Sequence, residues 1–134
     1  MSFMRRSVGV VALALTLVVR VGGAEAAATE YKFEAVGNPQ PSTAGKSIVA
    51  VRLIHAPDNK PVLGAIIIQT RADMTPDSMP EMTAPVKTLP PTAPDTYRFE
   101  IEPGMSGGWM LTLAAKVQGE AATVRGTVTV KLTK

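Results

Sequence analysis

The sequence contains no cysteine and a single histidine, His55, among its 134 residues. Without cysteine the chain can form no disulfide framework and no thiolate metal site. One histidine excludes the histidine pairs of catalytic zinc sites and leaves a single imidazole as a general base. The serines lie in no nucleophile-elbow context, and the glycine turn at 104–108 precedes a strand, whereas a phosphate-binding loop precedes a helix. We therefore do not expect an enzyme.

Residues 1–26 have the composition of a secretory signal peptide. The basic start MSFMRR precedes the 13-residue apolar run SVGVVALALTLVV, and small residues follow for cleavage after Ala26 or Ala28. An uncleaved anchor is the alternative, but the run is shorter than the roughly 20 residues that span a bilayer. We expect export to the periplasm, a mature domain over residues 27–134 and no stable membrane span after cleavage.

The charge of the chain does not favour a nucleic-acid surface once the signal peptide is set aside. The full chain carries 14 basic and 11 acidic residues, a net charge of +3. Residues 1–26 contain three arginines and one glutamate, so 11 basic and 10 acidic residues remain, a net charge of +1. These basic residues alternate with acidic ones and form no basic patch. We expect no nucleic-acid partner.

Most of the mature sequence alternates apolar and polar residues with the period of a β-strand. Strand patterns occur in TEYKFEAV, SIVAVRLIHA, VLGAIIIQT, TYRFEIE, GWMLTLAAKV and ATVRGTVTVKL. The turn-like APDNKP between the second and third of these predicts a hairpin of residues 47–56 with 62–70. The whole pattern predicts an all-β fold, an antiparallel immunoglobulin-like β-sandwich of about seven strands.

The alternation stops between Arg71 and Pro94. Six of the eleven prolines lie there, and proline is excluded from central strands because it lacks a backbone donor. We interpret the segment as a loop, longer than the roughly 12 to 15 residues beyond which loops are usually functional or disordered. Its acidic residues Asp73, Asp77 and Glu81 lack the ligand spacing of a calcium loop, so we interpret them as residues that keep the loop solvated.

Methionine is concentrated in and after this segment. Five of the seven methionines lie outside the signal peptide, at positions 74, 79, 82, 105 and 110. Thioethers are soft, neutral donors that suit Cu(I) and bind zinc, calcium and magnesium poorly, and they have no proton to exchange. Met74, Met79, Met82 and Met105 are therefore candidate metal ligands, with gap filling over the core as the alternative. His55, at a predicted strand end, is either a further ligand or an ordinary surface residue.

The order of several motifs resembles the YtkA-like domain, a relative of the FixH-like proteins. VRLIHAPDNKPVLGAIIIQTRADM, SMPEM and DTYRFEIEPGMSGGWMLTL carry the resemblance, which extends over residues 45–132. It implies an immunoglobulin-like sandwich outside the cytoplasmic membrane that is associated with copper handling. It also implies that Met74, Met79 and Met82 are the family's loop methionines and that Met105 is its turn methionine.

These observations lead to the hypothesis of a periplasmic copper-binding protein, a Cu(I) chaperone or copper-resistance accessory. We expect its partner to be a copper-transport or copper-enzyme assembly protein. The alternative is a metal-free immunoglobulin-like interaction module whose proline- and methionine-bearing loop docks on a transporter or an oxidase-assembly protein.

Overall fold

A computed structural model describes residues 30–134, which form two antiparallel sheets. The first sheet has the order β1-β3-β8-β7, with the short β2 and β4 also paired to β3, and the second has the order β10-β9-β5-β6. The strands are β1 Tyr31–Ala35, β2 Gln40–Pro41, β3 Ser47–His55, β4 Lys60–Pro61, β5 Ile66–Met74, β6 Met79–Ala84, β7 Val86–Leu89, β8 Tyr97–Ile101, β9 Gly107–Lys116 and β10 Val124–Leu132.

The predicted antiparallel β-sandwich is confirmed, with ten strands in the described residues where about seven were expected. The predicted signal peptide and its boundary after residue 26 lie outside the described residues. Within residues 30–134, no helix has the length and apolar character needed to cross a membrane.

The core lies between the two sheets and follows the alternation of the strands. In β10, Val124, Val128 and Val130 are buried, whereas Arg125 and Lys131 are exposed. This is the arrangement that a period of two residues produces when one face of a sheet is dry. The largest fully buried side chains come from both sheets: Trp109, Phe99, Leu53, Met74, Ile101, Leu111 and Leu113.

One long side of the sandwich is closed where β1 lies against β10. The Phe33 ring packs on Gly126, where an added Cβ would lie only 2.6 Å from the ring carbon Cδ2. A real Cβ does not approach another carbon so closely, so any larger residue at position 126 would displace the ring.

The other long side is closed by β6 and β7, and here the prediction of a loop over residues 71–94 is wrong. β5 continues to Met74, a single 3₁₀ turn covers Thr75–Asp77, and β6 and β7 follow on either side of Pro85. β6 is an edge strand of the second sheet and β7 an edge strand of the first, so the chain changes sheets at Pro85. Proline is tolerated on edge strands because its missing donor can face away from the ladder.

The predicted hairpin of residues 47–56 with 62–70 is also wrong, because β3 and β5 lie in different sheets. The chain does reverse after His55, but only Lys60 and Pro61 pair with the end of β3. Within residues 30–134, the other strands that pair with β3 are β1, β2 and β8, and none of them is β5.

Candidate functional site

The sequence-predicted methionine ligands lie at one end of the sandwich, where β5 ends and β9 begins. Asp73 near the end of β5 pairs with Met110 near the start of β9. The 3₁₀ turn after β5 and the turn before β9 therefore lie side by side. We call residues 73–83 and 104–110 together the methionine end.

Met74 is fully buried at this end. It is 0% exposed and belongs to the core cluster, and its cross-strand partner on β6 is Met79. The methyl carbon of Met74 lies 2.8 Å from the point where a Cβ on Gly107 would lie. Gly107 also has a φ of +151°, in the region where glycine is favoured. Met74 therefore links the end of β5 to β6 and to the turn before β9.

Asp77 connects the two turns of the methionine end. Its Oδ2 accepts a hydrogen bond from the Gly108 backbone nitrogen at 2.9 Å, and it would also contact a Cβ on Gly107. Hydrogen bonds from a backbone N–H to a carboxylate are stronger than neutral ones. Asp77 thus holds the 3₁₀ turn against the start of β9.

Met105 lies in the turn before β9, and two further hydrogen bonds hold the backbone of that turn. The buried Trp109 donates from its indole nitrogen to the Met105 carbonyl oxygen at 3.1 Å. The Ser106 hydroxyl oxygen accepts a hydrogen bond from the Lys134 backbone nitrogen at 2.8 Å. The Met105 residue itself is 39% exposed. A fixed backbone therefore presents an accessible thioether.

Met82 lies in a bulge of β6. Asp73 pairs with Thr83 and Met74 with Met79, so the three residues between Met79 and Thr83 have no partner on β5. Arg71 donates from Nη2 to the Pro80 carbonyl oxygen at 3.2 Å and so contacts the bulge. Met82 is 41% exposed. Like Met105, it presents a thioether at the surface.

Asp73 stabilises the turn that follows β5, a role that the sequence interpretation missed. It is 3% exposed, so its interpretation as a residue that solvates a loop is wrong. The carboxylate accepts hydrogen bonds from the Thr75 backbone nitrogen at 2.9 Å and from the Thr75 hydroxyl, and Arg71 Nε lies 3.2 Å away. Burial raises the pKa of Asp73, but these hydrogen bonds and the Arg71 charge outweigh burial and lower the pKa overall.

The acidic residues of the predicted loop therefore have distinct environments. Asp73 and Asp77 each accept hydrogen bonds from backbone nitrogens, whereas Glu81 is exposed. The described part of the chain holds no group of three or more histidine, cysteine or acidic residues that could bind a metal ion. The Asp-x-Thr spacing of Asp73 and Thr75, typical of an Asx turn, was the sequence signal for this capped turn.

His55 lies at the opposite end of the sandwich from the methionines. It is the last residue of β3, whereas the first, Ser47, pairs with Ile101 just before the Met105 turn. At about 3.3 Å per residue, the length of β3 separates the two ends by roughly 25 Å. The structure thus brings Met74, Met79 and the Met105 turn together and does not bring His55 to them.

The surroundings of His55 are polar and titratable. Its Nδ1 lies 2.9 Å from the Asp58 carboxylate and its Nε2 lies 3.8 Å from that of Glu30. The Tyr31 ring lies 5.1 Å from the imidazole between centroids, and its hydroxyl donates to Glu120 at 2.8 Å. Burial, and then the Glu120 carboxylate, raise the pKa of Tyr31 to about 12. We call these five residues the histidine end.

Comparison with known proteins identifies the domain. No curated protein and no solved structure matches the chain significantly. The model of the YtkA-like family matches residues 25–114, a range that includes His55 and every methionine of the methionine end. The match covers well over half of the chain and confirms the resemblance found in its motifs. The chain belongs to the YtkA-like family.

Proposed function

We propose that this protein is an exported, periplasmic copper-binding protein that holds Cu(I) through the thioethers of Met79, Met82 and Met105. The observation that carries the proposal is the convergence of the methionine-bearing strand pair and the Met105 turn at one end of the sandwich. Its role would be that of a Cu(I) chaperone or a copper-resistance accessory, which exchanges the ion with a copper-transport or copper-enzyme assembly protein.

The chemistry of these three donors fits a soft monovalent ion. Met82 and Met105 are 41% and 39% exposed, and Met79, the first residue of β6, is half-buried. Neutral thioethers bind Cu(I) and Ag(I) and are poor ligands for hard cations. Exposed donors also suit exchange of the ion with a partner, because an incoming ligand can reach it without unfolding of the domain.

The geometry favours a smaller donor set than the sequence predicted. Met74 is fully buried in the core, where it is the cross-strand partner of Met79 and lies against Gly107, so its thioether is not accessible to an ion. His55 is separated from the methionines by the length of β3 and interacts with Asp58 and Glu30. We therefore assign neither of them as a ligand in the proposed site.

The rigid turn supports a preorganised site. The hydrogen bonds of Asp77 with Gly108 and of Trp109 with the Met105 carbonyl fix the backbone that carries Met105. Less conformational entropy is then lost when the Met105 side chain binds an ion. Catalysis has no part in this proposal, which requires only ligand exchange.

Titration of the purified protein with Cu(I) against a chromophoric competitor tests the proposal, and Ag(I) provides a second soft ion that does not change oxidation state. Replacement of Met79, Met82 and Met105 together by leucine should abolish competition, because leucine nearly preserves volume and lacks the donor. Each single replacement should weaken binding by about tenfold, equivalent to about 1.4 kcal/mol.

Two other methionines provide matched controls. Met110 lies on β9 at the same end and Met74 lies in the core, and neither belongs to the proposed donor set. Met110→Leu and Met74→Leu should leave the Cu(I) affinity unchanged. A wild-type protein that does not compete for Cu(I), or a triple leucine variant that competes as well as wild type, would show that the proposal is wrong.

A further inference from the structure

The first half of β5 has an open edge. β9 pairs with β5 from Ile66 to Asp73, but β6 pairs with it only over residues 72–74. Because the chain leaves the second sheet at Pro85, no strand of the described residues pairs with residues 66–71 on the β6 side. Backbone groups on an open edge can accept a further strand.

Large apolar side chains are exposed at this edge. Ile66 is 65% and Ile68 50% exposed, and Leu63, in the segment that leads into β5, is 59% exposed; these are the three highest values among the large apolar residues of the described chain. Ile68 is also the extra residue of a bulge against β9, since Ile67 pairs with Ala115 and Gln69 with Ala114. Single exposed apolar residues are common, but a cluster along an open edge is typical of an interaction surface.

A groove runs beside the open edge, between the two sheets. Its cavity volume is about 370 Å³; Ile66 and Ile67 line one wall, and Leu89, Pro91 and Tyr97 line the other. The Tyr97 hydroxyl accepts a hydrogen bond from the Ala65 nitrogen and donates one to the Val62 carbonyl, both at 2.9 Å. These two bonds fix the groove wall to the segment that leads into β5. The groove is thus a preformed apolar pocket for side chains of a strand added to the edge.

Three cations lie near this edge. Arg98 lines the groove, Lys116 is the cross-strand partner of Ile66, and Arg125 donates from Nη1 to the Gln69 side chain at 3.1 Å. None of these three cations forms an ion pair within residues 30–134. Among the described residues, no carboxylate lines the groove. An acidic partner would therefore meet Arg98 in the groove, and it would lie across β5 from Lys116 and from Arg125, whose side chain reaches Gln69 on β5.

We infer that the Ile66–Thr70 edge binds an extended segment of another protein that has alternating apolar residues flanked by acidic ones. The segment adds as a strand beside β5, with backbone hydrogen bonds along the edge, apolar side chains in the groove and carboxylates near Lys116 and Arg125. A second copy of this chain is a less suitable occupant, because pairing of two β5 edges would bring the same cations of both copies together. The surface lies on the half of β5 away from the methionine end and does not depend on copper binding.

A selection from displayed random decapeptides tests this inference. The purified wild-type protein should enrich peptides that alternate apolar residues and carry more aspartate and glutamate than lysine and arginine. The Lys116→Glu, Arg125→Glu double variant should reverse that preference toward basic peptides, because both side chains are exposed and their replacement leaves the core intact. Enrichment of peptides without a charge preference, or no reversal in the double variant, would overturn the inference.

The edge itself is tested with the best enriched peptide as a synthetic probe. Its binding should slow hydrogen exchange of the backbone amides of residues 66–70, and Ile66→Ser with Ile68→Ser should reduce its affinity by about tenfold or more. Thr127→Ser, on β10 away from the edge, is the matched control and should bind the peptide as wild type does. If the wild-type protein enriches no peptide more strongly than the Ile66→Ser, Ile68→Ser variant does, the inference is overturned. A wild-type dimer that these two replacements dissociate would also overturn it.

Discussion

The two ends of the sandwich contain different kinds of side chain. The methionine end presents neutral thioethers on a backbone held by Asp77 and Trp109. The histidine end is a set of titratable groups in contact with one another, with His55 between two carboxylates. Because the length of β3 separates the ends, the imidazole and its carboxylate neighbours lie away from the thioethers. Soft donors and titratable donors are thus kept apart in this domain.

The largest effect on stability should come from the buried methionine. Met74→Ala removes a side chain that is 0% exposed and should cost about 2 to 5 kcal/mol of unfolding free energy. His55→Ala at the other end removes a partly exposed ring and should cost about 1 kcal/mol. Urea unfolding measures both. Met105→Ala is the control and should change the unfolding free energy by about 0.5 kcal/mol or less. Equal costs of Met74→Ala and His55→Ala would contradict the difference in burial between the two ends.

A methyl group at Gly107 should separate the two turns of the methionine end. Gly107→Ala places a Cβ against Asp77 and 2.8 Å from the Met74 methyl, at a φ of +151°. We expect a loss of about 1 to 3 kcal/mol. Thermal unfolding measures this loss, with Gly104→Ala as the control, because a Cβ there has no neighbour among residues 30–134 within 4 Å. Equal stability of the two variants would show that the contact does not hold the turns together.

Acid should destabilise the methionine end through Asp73. An aspartate whose pKa is lower in the folded chain stabilises the fold above the unfolded pKa of about 3.9, and this contribution is lost as the pH falls through the folded value. Stability should therefore decrease below about pH 4, and less so in Asp73→Asn. Urea unfolding at several acidic pH values measures the change.

Asp58 at the histidine end is the matched comparison for this experiment. The hydrogen bond with His55 lowers the pKa of Asp58, but the residue is exposed, so solvent screens its effect on stability. Asp58→Asn should change the acid dependence less than Asp73→Asn does. The reverse order would contradict the assignment of the acid-sensitive carboxylate to the methionine end.

Alkaline pH should destabilise the histidine end through Tyr31. Its pKa is raised to about 12 from 10.0, so the stabilising effect of the neutral phenol is complete below pH 10.0 and is lost as the pH rises toward about 12. Burial raises the pKa of Tyr97 as well, although a hydrogen bond from the Ala65 nitrogen opposes the shift. Since the chain has two tyrosines, phenolate absorbance of the folded protein should appear only above pH 10.0.

Tyr31→Phe separates the two tyrosines in that titration. The variant should retain one titrating phenol, that of Tyr97, and should lose the hydrogen bond to Glu120. Its stability should depend less on pH between 10.0 and about 12 than that of wild type. A tyrosine of the folded wild-type protein that ionises below pH 10.0 would contradict the prediction.

The smallest expected effect concerns His55 and copper. If thioethers alone bind Cu(I), the affinity should change little between about pH 7 and about pH 5, because no ligand has a proton to exchange. His55→Gln should leave the affinity unchanged at both values. A Cu(I) competition titration at the two pH values measures this. A loss of affinity at the lower pH that His55→Gln abolishes would place the imidazole in the site.

The strands with regular alternation could be predicted from the sequence. β8, β9 and β10 bury the face that the pattern indicated, because each has one side against the core. The strands of the segment after Arg71 could not be predicted. Proline excludes central strands but not edge strands, and the sequence does not show which strands lie at an edge. For a related reason, the sequence did not determine to which sheet β5 belongs. A turn between two strands indicates reversal of the chain and does not determine whether the strands pair.

The site was only partly predictable. Methionine composition indicated Met79, Met82 and Met105, which are accessible to different degrees at one end. Burial of Met74 corresponds to the alternative of gap filling over the core, and the sequence could not decide between the two because it did not show that β5 extends to this residue. The separation of His55 from the methionines depends on the direction of β3 relative to β9, a property of the topology that no local pattern contains.

The change of sheet at Pro85 determines how much of the second sheet is left as a template for other chains. If the chain crossed later, β6 would pair farther along β5 and cover Ile66 and Ile68. If it crossed earlier, a longer apolar edge would favour uncontrolled association. The position of one proline thus sets a balance between selective recruitment and aggregation. Shifting it by insertion or deletion should alter the solubility of the protein before it disturbs the packing of the core.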